Sequence, residues 1–94
     1  MLTWNVTYCC RPGQRENFYQ ALCALGIRES SRQEEGNLGY SYFFSAHNPD
    51  ELLLVEQWTT PELQQAHCQT EIFGRLQELK AQYCDSVQID KFDH

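Results

Sequence analysis

Apolar and polar residues alternate along several stretches of this chain and recur at helical spacing in others. From Thr3 to Cys10, the residues Trp4, Val6, Tyr8 and Cys10 alternate with Thr3, Asn5, Thr7 and Cys9. That is the period of a strand with one apolar and one lightly polar face, the second of which is suited to border a cavity. Arg11-Pro12-Gly13 ends this strand. Phe18, Leu22 and Leu25 then follow at helical spacing with Glu16 near the positive end, which predicts a first helix. The helix is expected to continue into the polar stretch Arg28 to Glu35, weakened in its middle by Gly26 and terminated by Gly36.

The next forty residues are the most structured in pattern. Leu38, Tyr40, Tyr42 and Phe44 alternate with Gly39, Ser41, Phe43 and Ser45, predicting a strand with one strongly apolar face. His47-Asn48-Pro49-Asp50 supplies hairpin-loop chemistry, because Asn and Asp bond their own backbone and Pro presets one dihedral. A second strand, Leu52 to Trp58, opens with four consecutive apolar residues and suits a central position covered on both faces. Thr60 is placed to cap a helix, Pro61 sits where its missing N–H costs nothing, and Glu62 complements the helix dipole. This helix runs to about His67, loosens at Gln69-Thr70, and resumes through Ile72, Leu76 and Leu79 to about Tyr83. Val87 and Ile89 alternate with Gln88 and Asp90 in a last strand from Ser86 to Phe92, and Asp93-His94 is expected to fray.

The order strand, helix, strand, strand, helix, strand predicts an α+β fold. It is the ferredoxin-like βαββαβ arrangement, an antiparallel four-stranded sheet with helices on one face. Leu53, Val55 and Phe43 fall on the other face, so a partner sheet is expected to cover it.

Ninety-four residues make a single domain over residues 1–94, without linker or repeat. The formal net charge of -6, with no cluster of Lys or Arg, argues against nucleic acid as a partner. No apolar run approaches the roughly 20 residues of a membrane span, and the first residues lack the basic and apolar regions of a signal peptide. A cytoplasmic protein that does not engage membranes is therefore expected. Cys9, Cys10, Cys23, Cys68 and Cys84 include no C-x-x-C pair and read as reduced, small hydrophobic residues. His47, His67 and His94 lie twenty or more residues apart, so no metal-ligand spacing is present. Gly36-x-x-Gly39 precedes a strand rather than a helix, which rules out a phosphate cradle. What remains is a group of polar-tipped residues aimed at the space between sheet and helices: Trp4 or Asn5, Tyr40, Tyr42, Trp58 and His67. An aromatic-walled cavity with a few polar groups would suit a planar substrate.

Glu35-x-x-Leu38-Gly39-Tyr40, Val55-Glu56-Gln57-Trp58 and a helix carrying Ala66-His67 and Ile72-Phe73 resemble the antibiotic-biosynthesis monooxygenase (ABM) domain family. Met1-Leu2-Thr3 and Arg11-Pro12-Gly13-Gln14 are similar to its small quinol-monooxygenase branch. The resemblance implies a homodimeric α/β barrel in which two sheets pack together. It also implies oxidation of a small quinol or hydroxylated aromatic by dioxygen without metal or flavin, the deprotonated substrate itself supplying electrons. Trp58 and His67 fall on the family's motif positions and are the implied catalytic pair, Trp58 contacting the substrate and His67 taking a phenolic proton. Asn5, Tyr40, Tyr42 and Phe73 are the implied substrate-binding residues, Asn5 because some members place an asparagine on the first strand. One departure stands out. Members can carry an asparagine four residues before the motif tryptophan, where this chain has Leu54. That substitution favours a non-catalytic small-molecule-binding or stress-related member, whereas Trp58 and His67 favour the oxygenase; a third alternative is an isomerase of a small signalling molecule, which relatives of this fold also perform. The haem-degrading branch is disfavoured because Gly74 to Cys84 contains no histidine.

Overall fold

The computed structural model describes residues 1–94. Its elements are β1 (Leu2–Cys10), α1 (Arg15–Leu25), α2 (Ile27–Arg32), β2 (Asn37–Phe44), β3 (Glu51–Trp58), α3 (Pro61–His67), α4 (Glu71–Tyr83) and β4 (Cys84–Asp93). The strands form one antiparallel sheet in the order β2-β3-β1-β4. With the helices gathered on one face, this is the expected ferredoxin-like α+β fold.

Register decides which side chains meet the helices. Leu2, Val6 and Tyr8 of β1 stand opposite Trp58, Leu54 and Leu52 of β3. Tyr40 and Tyr42 of β2 stand opposite Glu56 and Leu54. Successive strand residues point to opposite faces, so these alternate positions share the helix side. Phe18 and Leu22 of α1, Ile27 of α2 and Leu76 of α4 are buried against them. Leu53, Val55 and Phe43 occupy the outer face. Phe43 remains 52% exposed there, with Phe92 of β4 50% exposed.

Three expectations are corrected. The first helix does not run through Gly26. That residue adopts φ +76° and caps α1, its N–H bonding to the carbonyls of Leu22 and Cys23, before the short α2 begins. Glycine is the residue that tolerates this left-handed geometry, so it stops the helix rather than merely weakening it. The apolar face of β2 is buried only in its middle. Tyr40 is 1% exposed, but a register shift between Asn37 and Gly39 leaves Leu38 at 45%. The C-terminus is paired rather than frayed. The His94 N–H donates to the Met1 carbonyl (2.8 Å), the Met1 ammonium donates to the His94 carbonyl (2.7 Å), and the imidazole Nε2 lies 2.8 Å from Thr3 Oγ1.

The helix caps follow the sequence. Thr60 Oγ1 accepts the Leu63 N–H at 3.2 Å with Pro61 in the first turn, and Thr70 Oγ1 accepts the Phe73 N–H at 3.3 Å after the break at residues 68–70. In the hairpin, Asn48 Oδ1 accepts the Asp50 N–H and Ser45 Oγ accepts those of His47 and Asn48. The connection from α2 to β2 turns at Gly36, where φ is +83° and the backbone lies hard against Leu63 of α3. A Cβ here would collide with the Leu63 side chain and sit 2.8 Å from Thr59 Oγ1. Gly36→Ala is therefore expected to lose about 3 kcal/mol in urea unfolding, by adding strained dihedrals to overpacking. Gly13→Ala, also at positive φ but with nothing within 4 Å, is expected to lose only about 1 kcal/mol.

Candidate functional site

On β3, Glu56 and Trp58 are two residues apart and so share the helix-facing side. Both are buried, and the indole N–H of Trp58 donates to Glu56 Oε1 at 2.9 Å. α3 crosses above them and lowers His67 onto the indole, with ring centroids 5.0 Å apart. The rings of Phe73 at 5.3 Å and Tyr40 at 6.0 Å close on His67 edge-on, and Tyr42 continues from Tyr40 at 5.8 Å. Trp58, His67, Tyr40, Tyr42 and Phe73 are thus brought together between sheet and helices. Asn5 is not among them. It pairs with Val55 and Asp90 and lies on the outer face, because its parity in β1 is opposite to that of Trp4 and Val6. Trp4 takes the inner position instead, opposite Glu56 in the row Trp4-Glu56-Tyr40.

Two carboxylates join the site that sequence reasoning did not single out. Glu34, in the turn after α2, places Oε1 2.7 Å from His67 Nδ1, with the imidazole 1% and the Glu34 side chain 21% exposed. Nothing in the linear pattern links residues 33 apart. Glu56 did carry a signal: it has the parity of Leu52, Leu54 and Trp58, so a strand buried on that face carries it inward. Leu54, the departure from the family pattern noted in the sequence, is buried in the apolar core beside Val6 and Tyr42.

The site's polar atoms are unevenly satisfied. Tyr40 Oη, Tyr42 Oη, His67 Nε2 and Trp4 Nε1 are buried and have no hydrogen-bond partner. Burial holds the phenols of Tyr40 and Tyr42 well above their ordinary range, which keeps both protonated and able to donate. Burial also raises the Glu56 carboxyl, while the Trp58 N–H, His67 and the Gln64 amide oppose that shift and Glu34 adds to it. No three His, Cys, Asp or Glu side chains converge as a metal cage would require. Two depressions of about 380 Å³ flank the cluster. One is lined by Tyr19, Tyr42, Phe43 and Phe44, and the other, across α3, includes Trp4, Gln64, Cys68 and Lys91.

These features define a ferredoxin-like domain with a buried aromatic and histidine site beneath α3. The chain belongs to the antibiotic biosynthesis monooxygenase family, whose model matches residues 1–79. It is similar to the crystal structure of PA3566 from Pseudomonas aeruginosa, at 29% identity over 99% of this chain and 92% of that one, with a TM-score of 0.87. A conserved protein from Bacteroides thetaiotaomicron, described as a possible oxidoreductase, aligns at 25% identity over 99% and 96% of the two chains, TM-score 0.86. A candidate antibiotic biosynthesis monooxygenase from Nitrosomonas europaea shares the fold at 21% identity over 100% and 98%, TM-score 0.89. No protein of curated function matches the sequence. No helix is long and apolar enough to cross a membrane.

The state of Glu56 gives this site a pH signature. An acid whose folded pKa is raised binds its proton more tightly in the native state, so its contribution to stability falls as pH rises from its unfolded value through its folded one. Glu56→Gln keeps an oxygen acceptor for the Trp58 N–H. The variant is expected to match wild type in urea unfolding at pH 4 and to exceed it at pH 8, flattening that part of the profile.

Proposed function

We propose that this protein is a monooxygenase that oxidises a small quinol or hydroxylated aromatic with dioxygen, working as a homodimer. The observation that carries the reading is a set of buried polar atoms without partners, His67 Nε2 and the hydroxyls of Tyr40 and Tyr42, on rings that pack in series beside Trp58 and Phe73. Family membership adds oxygen chemistry.

In this reading His67 Nε2 accepts the phenolic proton and the two tyrosine hydroxyls donate to the resulting oxyanion, stabilising charge where it forms. The electron-rich phenolate then reduces dioxygen. One oxygen atom enters the ring, the other leaves as water, and the quinol is released as a hydroxylated quinone. Trp58 forms the wall against which the ring stacks, its own N–H being committed to Glu56. The substrate is planar because a continuous series of edge-on aromatic contacts leads inward. It runs from exposed Phe44 through Tyr19, Tyr42 and Tyr40 to His67. His67 is 2% exposed, so the substrate must part the helices from the sheet to reach it.

Oxygen uptake with a panel of quinols and anthrone-like phenols tests this. Uptake above the uncatalysed rate is expected with at least one of them, falling by about 10²-fold in His67→Ala and by about tenfold in Trp58→Phe. Uptake no faster than autoxidation across the panel would rule out the oxygenase reading for these substrates.

Leu53, Val55, Phe43 and Phe92 leave an apolar outer face for which a second copy's sheet is the fitting cover. Sedimentation at micromolar concentration is expected to give about twice the 11.0 kDa chain mass, and Val55→Lys to shift it toward one. A wild-type monomer under these conditions would count against the dimer.

A further inference from the structure

We propose that Glu34 is the positioning residue for His67, fixing which imidazole nitrogen is free and stabilising the cation that forms when the ring takes a proton. The proposal rests on the reading of His67 as the base.

The geometry is specific. Glu34 Oε1 lies 2.7 Å from His67 Nδ1. A carboxylate oxygen only accepts hydrogen bonds, so the contact places a proton on Nδ1, and in the neutral imidazole that leaves the lone pair on Nε2. Nε2 is the nitrogen that is buried and without a partner, on a ring packed against those of Tyr40, Trp58 and Phe73. A base held in one tautomer by a second group, with its other nitrogen open, is the arrangement that general-base catalysis uses in unrelated enzymes.

Glu34 is itself held in place. Its carbonyl accepts the N–H of Asn37, and its own N–H donates to Ser31. Two residues on, Gly36 is pressed against Leu63, one turn before His67 on α3. Gly36 also accepts the Thr59 N–H at 2.8 Å, tying the turn to the end of β3. The turn carrying the carboxylate and the helix carrying the imidazole therefore form one rigid contact. Ala66-His67 thereby gains a partner that the chain supplies from the far side of β2 and β3. Glu34 also reaches the surface, whereas His67 does not.

The test separates positioning from simple charge or fold. Histidine ¹⁵N spectra of the unliganded protein, with the His67 signals assigned by loss in His67→Ala, are expected to show the Nδ1–H tautomer in wild type. In Glu34→Gln the amide N–H can donate to Nδ1, so the Nε2–H tautomer is expected to gain. With 1,4-naphthoquinol as probe, kcat is expected to fall about 10²-fold while KM stays within about twofold. Glu35→Gln removes the same charge from the exposed neighbouring residue and is expected to leave both the ring spectrum and kcat at wild-type values. A Glu34→Gln ring spectrum identical to wild type overturns the proposal, as does a changed spectrum with unchanged kcat. Wild-type turnover in His67→Ala removes the base reading itself. Wild-type turnover in Glu34→Gln beside an inactive His67→Ala removes only the positioning role.

Discussion

The hydrogen bond from Trp58 to Glu56 lies at the centre of the structure, and much else depends on it. Two residues on one strand face are neighbours by geometry, so the sequence Glu-x-Trp at the end of β3 places a carboxylate beside an indole N–H without help from elsewhere. Buried alone, either group would be costly; bonded to each other, they become a tolerable part of the sheet's inner face. The indole then serves as the platform on which α3 lands. Thr60 caps that helix two residues after Trp58, so strand end, cap and platform are consecutive in the chain, and His67 arrives over the ring within two turns.

The two faces of the sheet are built to different ends. The inner face divides along β3 itself: Leu52 and Leu54 belong to the apolar core, Glu56 and Trp58 to the polar cluster. Leu54 therefore marks a border rather than a gap. An amide at that position would face Val6 and Tyr42, whereas the buried polar groups begin at the next inward-facing position of β3, where Tyr40, Glu56 and Trp4 form a row. The outer face carries no such cluster. It is a mixture of Thr3, Asn5 and Thr7 with Leu53, Val55 and Phe43, better matched to another sheet than to water.

The elements were largely legible because their signals are local. The Asn-Pro-Asp loop, the Thr-Pro-Glu cap and the Thr70 break each state their geometry within four residues, and the strand alternation states parity. Trp58, His67, Tyr40 and Phe73 were legible as a cluster through the family's motif order. What resisted reading was of two kinds. Gly26 could be a weak helix residue or a stop, and the backbone sign that decides it is not written in the periodicity. Asn5 was misplaced because alternation separates two faces without saying that the apolar one, with Trp4, Val6 and Tyr8, must be the one beneath the helices. Glu34 lay beyond reach for a simpler reason: its partner is brought to it only when α3 folds back over β2 and β3.

The unpartnered atoms bear on how such a site stays ready without collapsing. A buried donor or acceptor left without a partner costs about 1 to 3 kcal/mol, and four of them, Trp4 Nε1, Tyr40 Oη, Tyr42 Oη and His67 Nε2, belong to side chains on the helix side of the sheet and the helix above it. A core selected only for stability would have replaced them with apolar side chains of similar size. Their retention beside fully bonded neighbours, Trp58 to Glu56 and His67 Nδ1 to Glu34, divides the cluster into groups that hold the frame and groups left free to act. A ligand oxygen placed among the free ones would meet two hydroxyl donors and one basic nitrogen, recovering on binding part of what folding left unmade. The hydrogen-bonded frame and the unsatisfied atoms are thus complementary, the first preserving the geometry in which a ligand would meet the second.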